Sequence, residues 1–98
     1  MTIKTSVNGN KADIAIIGRL DTTTAPELEA ELAGCSSASE IVFDFSALEY
    51  ISSAGLRVLL AEQKLMNSKR GSMTLKNVNE TVMEVFEITG FIDILTIE

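Results

Sequence analysis

Histidine is absent from the chain, and Cys35 is its only cysteine. The Ser-His-Asp and Cys-His arrangements of hydrolases both need a histidine, so nucleophilic sites of those kinds are excluded. A single thiol cannot form an internal disulfide, and the sequence does not supply the ligands of a zinc site. We therefore expect no catalytic residue and no metal site, and we expect Cys35 to have no chemical role.

Phosphate-binding loops are also missing. The sequence contains neither G-x-x-x-x-G-K-[ST] nor G-x-G-x-x-G, the loops that cradle a nucleotide. The 14 acidic residues will form chance carboxylate pairs, but no spacing singles out one pair for acid-base work. The sequence thus predicts a chain that is not an enzyme and needs no cofactor.

Basic residues are scarce: eight Lys and Arg face 14 Asp and Glu, for a formal net charge of −6. Nucleic acids and anionic membranes are bound through clustered Lys and Arg, so we expect neither as a direct partner. The longest apolar stretch, Val58–Ala61, is far too short to span a bilayer, and no signal-peptide pattern is visible. A cytoplasmic location is the expectation.

What is present is an alternation of strand and helix patterns over 98 residues, enough for one domain at residues 1–98. The predicted order is β-β-α-β-α-β-α-β. Strands are predicted around Ile3–Val7, Ala12–Ile17, Ile41–Phe45, Met73–Leu75 and within Phe91–Ile97. Helices are predicted after Thr24, from Ala54 to about Ser68, and after Asn79. Helices between strands favour parallel pairing, so the fold class is α/β with a mixed, mostly parallel sheet of four to five strands and three helices.

Several local features are predicted as well. Ile3–Val7 alternates as a half-buried strand does, whereas Ala12–Ile17 is apolar enough to be covered on both faces. Thr24 and Glu27 have the spacing of a capping box. Residues 46–52 are interpreted as a connection. Val58, Ala61 and Leu65 form a second apolar stripe on the longest helix, which is either a partner surface or packing against a neighbouring helix.

The segment from Asp44 to Leu60 carries the functional signal. It places Ser52 and Ser53 where a helix begins, and either serine is a candidate N-cap. Capping is one complete explanation of these serines. The other is that a helix start, with free N–H groups and a partial positive charge, tolerates a phosphate on a serine without unfolding the domain. Gly55 would then allow another backbone to approach.

These residues bring a family resemblance. Tyr50-Ile51-Ser52-Ser53-Ala54-Gly55-Leu56 resembles the phosphorylation-site region of bacterial anti-sigma factor antagonists, which are free-standing STAS domains. Two further motifs match in the right order. One is Gly18-Arg19-Leu20-Asp21 followed by the Ala- and Leu-rich helix from Thr24 to Leu32, and the other is the helix end Phe86 to Phe91. Together the three cover essentially the whole chain. Well-known members carry Asp before the acceptor serine, whereas this chain has Ser52.

The resemblance implies a function. An antagonist of this family binds an anti-sigma factor that is also a serine kinase, and thereby frees the sigma factor. Phosphorylation, here of Ser53 with Ser52 as second choice, releases the antagonist, and a PP2C-type phosphatase restores it. The residues expected at the partner interface are Asp21, Ser52, Ser53, Ala54, Gly55, Arg57 and Val58.

Alternatives remain open at this point. A STAS domain that is never phosphorylated would be a subunit of a transporter or a lipid-trafficking complex. An enzyme with Ser53 as nucleophile would need a base that nothing in the sequence places there. Asp21 ends one strand and Ser53 follows another, so both lie at the same edge of the sheet if those strands are parallel. There Asp21 either lines the docking surface or only bonds the N–H groups at a helix start.

Overall fold

The chain forms six strands and three helices. The computed structural model describes residues 1–98. The strands are β1 Thr2–Asn8, β2 Lys11–Leu20, β3 Glu40–Asp44, β4 Leu48–Ile51, β5 Ser72–Lys76 and β6 Thr96–Ile97. The helices are α1 Ala25–Ala33, α2 Ser53–Ser68 and α3 Glu80–Thr89, followed by a short 3-10 turn at Phe91–Asp93. The predicted α/β class, the three helices and the mostly parallel sheet are confirmed.

The order of the strands places all helices on one face of the sheet. The order is β1-β2-β3-β5-β6, with β1 antiparallel to β2 and the remaining pairs parallel. From β2 to β6 every crossover therefore moves in the same direction along the sheet. Right-handed crossovers in one direction return on one face, and that face is the one covered by α1, α2 and α3.

The core lies between this face and the helices. Ile14, Phe43 and Leu75 occupy the same row across three strands, and all three are buried. They belong to a single cluster of 23 buried residues, to which the helices contribute side chains such as Leu28 and Phe86. One continuous core holds the three helices on the sheet.

The prediction that β2 is covered on both faces is wrong. Ala12, Ile14 and Ile16 are buried, but the alternate residues Asp13 and Ala15 are only half-buried because no helix lies on their side. The prediction of a half-buried β1 is also wrong for most of that strand. Only Ile3 packs against the core, since β1 is an edge strand, and the remaining residues of the strand are exposed.

Strand β4 was not predicted, since residues 46–52 were interpreted as a connection. It pairs in parallel with the last three residues of β2, beyond the part of β2 that pairs with β3. The register shifts between Gly18 and Arg19, and Gly18 has a φ of +103°, which favours glycine. The bend lets one long strand bond two different neighbours in succession.

The start of α1 differs from the sequence pattern, whereas the start of α3 follows it. Thr24 is the N-cap of α1, but its side chain caps no helical N–H, so the predicted capping box does not form. The Thr24 hydroxyl instead donates to the carbonyl of Arg19 and accepts from the N–H of Asp21, both at 2.9 Å. Asn79 does cap α3, since its side chain accepts from the N–H of Val82 at 2.9 Å.

Candidate functional site at the start of helix α2

Parallel pairing of β2 with β4 brings two sequence motifs to one edge of the sheet. Leu20 and Ile51 are register partners, and the N–H of Ser52 donates to the carbonyl of Leu20 at 2.9 Å. Asp21 follows Leu20 and Ser53 follows Ser52, so both emerge at the same edge. The structure thus brings Asp21 to the serine pair, as the sequence predicts for parallel strands.

The two serines have different surroundings. Ser52 is the N-cap of α2, and its carbonyl accepts from the N–H of Leu56 at 3.0 Å. Its hydroxyl oxygen is buried, has no hydrogen-bond partner and caps nothing. Ser53 is the first residue of the helix and is exposed. Ser53 is therefore open to an incoming protein, whereas the hydroxyl of the half-buried Ser52 is enclosed.

The backbone at this helix start suits an anion. The first N–H groups of an α-helix have no partner within the helix, and here no side chain caps them. No acidic residue lies in the first turn of α2. A phosphate on the exposed Ser53 would lie at the positive end of a 16-residue helix, where negative charge is favourable.

Asp21 forms a local turn. Its Oδ1 accepts from the N–H groups of Thr23 and Thr24 at 3.0 and 3.1 Å, and the Thr24 hydroxyl oxygen lies 3.2 Å away. The backbone N–H of Thr24 is the main cause that lowers the pKa of the Asp21 carboxyl. Arg19 Nε lies 3.9 Å from the other oxygen, Oδ2. These bonds account for Asp21 as a residue that stabilises the local turn. The carboxylate is half-exposed on its Oδ2 side, so it stays available to contact a partner.

Arg19 and Tyr50 form the part of the site that the sequence analysis missed. The two residues are register partners across β2 and β4, and the guanidinium carbon of Arg19 lies 4.4 Å from the centre of the Tyr50 ring. Both side chains are exposed. Their pairing depends on β4. Because residues 46–52 are predicted as a connection, no sequence pattern indicates this contact. A cation stacked on an aromatic ring borders the serine pair.

Gly55 is buried rather than open to a partner. A Cβ on Gly55 would lie 2.7 Å from Cγ of Leu20 and 2.9 Å from Cγ1 of Ile51. The missing side chain therefore lets α2 start directly over the ends of β2 and β4. The close approach at Gly55 is therefore made by the domain's own Leu20 and Ile51 side chains, and not by the backbone of a partner as expected.

The other expected interface residues lie along a groove between α1 and α2. Ala54 is half-buried and Arg57 is exposed, while Val58 is only 7% exposed at the base of the groove. In the second apolar stripe, Ala61 and Leu65 remain exposed, Leu65 at 48%. α1 packs beside α2, yet it leaves the outer part of this stripe uncovered.

The lone thiol of Cys35 is buried, and burial is the main cause that raises its pKa. No cluster of three or more His, Cys, Asp or Glu side chains is arranged to hold a metal ion. None of the helices combines the length and the apolar character needed to cross a membrane.

Comparison with known proteins identifies this architecture. The family model for the STAS domain matches residues 2–98. The chain belongs to the STAS domain family. BtrV of Bordetella bronchiseptica, assigned to the anti-sigma factor antagonists, is 42% identical over 82 residues, which cover 82% of this chain and 71% of BtrV. The anti-sigma-B factor antagonist of Bacillus subtilis is 31% identical over 100 residues, covering 99% of this STAS domain and 92% of that protein.

Solved structures agree on the fold. The Bacillus cell fate determinant SpoIIAA in its phosphorylated form superimposes with a TM-score of 0.78 at 19% identity. The match covers 99% of this STAS domain and 91% of that chain. The mixed sheet with its helices is therefore the STAS fold.

Proposed function

We propose that this STAS domain is an anti-sigma factor antagonist that is switched by phosphorylation of Ser53. Unphosphorylated, it binds an anti-sigma factor and thereby frees the sigma factor. The anti-sigma factor is also a serine kinase, and a PP2C-type phosphatase resets the domain. The relatives named as antagonists support the first part, and the exposed Ser53 hydroxyl beside a buried Ser52 hydroxyl supports the second.

In the phosphoryl transfer, this chain has only to supply the hydroxyl oxygen that accepts the phosphoryl group. The Ser53 hydroxyl oxygen attacks the γ-phosphorus of ATP, the bond from that phosphorus to the ADP oxygen breaks, and the hydroxyl proton leaves to a base of the kinase. Nucleotide, metal ion and base belong to the kinase. The domain contributes an exposed hydroxyl on a helix start that stabilises the product dianion.

Charge explains the release. A phosphoserine adds about −2 to a chain whose formal charge is −6. The new charge lies at the same sheet edge as the Asp21 carboxylate, whose pKa is already lowered. A partner surface that accepts the neutral serine then meets a concentrated negative charge, and a loss of about 1.4 kcal/mol already weakens binding tenfold.

The decisive experiment is a phosphorylation assay with the purified kinase-type anti-sigma factor from the same genome, ATP and the intact domain. Phosphopeptide mapping should find the phosphate on Ser53 in wild type and in Ser52→Ala, and should find none in Ser53→Ala. Phosphate on Ser52 would overturn the choice of acceptor. A domain that binds no anti-sigma factor and is never phosphorylated in its native cells would instead fit the transporter or lipid-trafficking alternative.

A further inference from the structure

The groove between α1 and α2 is built from two helical stripes that face each other. α2 contributes residues spaced three and four apart, and they are Ala54, Val58, Ala61 and Leu65. α1 and its flanks contribute a matching series, which includes Thr22, Pro26, Glu29 and Ala33. Small side chains on both walls leave the space between the helices unfilled, and the groove has a volume of about 600 Å³. That volume admits a few large side chains.

A largely buried glutamate lines this groove. Glu62 is 8% exposed, and neither of its carboxylate oxygens takes part in a hydrogen bond or an ion pair. The nearby cation Lys69 is engaged elsewhere, since its Nζ donates to the carbonyls of Ser36 and Ala38 at 2.7 and 3.0 Å. Burial raises the pKa of the Glu62 carboxyl despite Lys69. Both carboxylate oxygens keep contact with solvent, so a cation that enters the groove can reach them.

We propose that the groove receives an apolar segment of the anti-sigma partner carrying one Lys or Arg, and that this cation pairs with Glu62. The proposal rests on the proposed function, because the partner is the anti-sigma factor. The occupant is a protein segment because the walls are mostly apolar and run along two helices. It is basic because Glu29 joins Glu62 on the groove and only Arg57 opposes them.

The groove is continuous with the phosphorylation site. Its first α2 residue, Ala54, directly follows Ser53, and Arg57 lies one turn further along the same helix. A segment seated in the groove would therefore end beside the Ser53 hydroxyl. Glu62 lies nine residues beyond Ser53 along the helix, about 14 Å at 1.5 Å per residue, so it anchors the segment away from the switch.

The test measures the dissociation constant of the purified anti-sigma factor for the intact domain and its variants by calorimetry. Glu62→Gln keeps the shape but removes the charge, and Leu65→Lys places a cation on the groove wall. Each should weaken binding about tenfold or more. The matched control is Glu84→Gln, an exposed glutamate on α3 outside the groove, which should bind as wild type does.

The outcomes separate the two proposals. If wild type binds and Ser53→Asp does not, while Glu62→Gln and Leu65→Lys bind as the Glu84→Gln control does, the groove proposal is overturned and the proposed function stands. If wild type itself does not bind the anti-sigma factor, both are overturned. Thermal unfolding of each variant verifies its fold, and Glu62→Gln should unfold at no lower temperature than wild type.

Discussion

Ser52 and Ser53 are neighbours in the sequence, yet the fold gives their hydroxyl groups opposite environments. The oxygen of Ser52 is enclosed and unpartnered, whereas Ser53 is exposed on the first turn of α2. The difference arises because Ser52 is still bonded to the sheet edge through its N–H, and the helix starts only at the next residue.

Ser52→Ala should leave the free energy of unfolding unchanged or raise it by up to about 1 kcal/mol. Replacing an N-cap serine by alanine normally costs about 0.5–2 kcal/mol because a side-chain hydrogen bond is lost. Here that bond does not exist, and the substitution removes an unsatisfied buried oxygen. Urea denaturation measures the change, with Asn79→Ala as the comparison, since Asn79 does cap its helix and should cost stability.

Gly55→Ala should destabilise the domain by about 1–3 kcal/mol through overpacking. The new methyl group would approach the buried side chains of Leu20 and Ile51 to less than 3.0 Å. Urea denaturation compares it with Ala54→Gly, which removes a methyl group at the adjacent position instead. A Gly55→Ala domain as stable as wild type would show that the helix start has room to move.

Ser53→Asp should weaken binding of the anti-sigma factor at least tenfold, whereas Ser53→Ala should bind as wild type does but never be released by ATP. Both substitutions lie at an exposed position and should change stability by no more than about 0.5 kcal/mol. Size-exclusion chromatography of the mixture, with and without ATP, reads out both effects. Equal binding by Ser53→Asp and Ser53→Ala would contradict release by charge.

Asp21→Asn should lower stability at neutral pH, and the difference should vanish in acid. The folded-state pKa of Asp21 is lowered from the ordinary 3.8, chiefly by the Thr24 N–H, so its stabilisation is present above pH 3.8 and is lost as pH falls through the folded value. Urea denaturation between pH 7 and pH 2 tests this. Unchanged affinity of Asp21→Asn for the anti-sigma factor would restrict Asp21 to its local turn.

Glu62→Gln should show the opposite pH trend. Its folded pKa is raised from the ordinary 4.5 by burial, so the ionised carboxylate opposes folding once pH rises through the folded value. The variant should therefore be more stable than wild type at pH 7, and the advantage should shrink as the solution is acidified. An equal free energy of unfolding at pH 7 would show that Glu62 is well solvated in the groove.

Much of the fold was predictable because its strong signals are local. The five predicted strands and three helices are confirmed, and each helix buries apolar side chains in the core, such as Leu28, Leu56 and Phe86. Strand β4 was missed because it is only four residues long and pairs with the bent end of β2, a relationship that no local pattern reveals. The single covered face of β2 was missed because apolar content does not report on which side the helices return.

The site was predictable in part. The motif around Ser53 could be recognised because the start of a helix has characteristic residues. The expected parallel pairing of the strands also predicted that Asp21 would lie near Ser53. The Arg19–Tyr50 stacking and the buried Glu62 depend on contacts between elements distant in sequence. The sequence indicated that another group would approach Gly55 closely. Whether that group belongs to a partner or to the domain's own core depends on packing, which the sequence pattern does not report.

The division of β2 between two neighbours has a mechanical consequence. Its first half is bonded to β3 and its last three residues to β4, so the segment that leads into Ser53 is tied to an interior strand of the sheet. Because of this anchor, a phosphate on Ser53 has little scope to change the conformation of the domain. The partner then detects phosphorylation as a change of surface charge on a rigid domain. The phosphorylated and unphosphorylated domains should have the same backbone conformation.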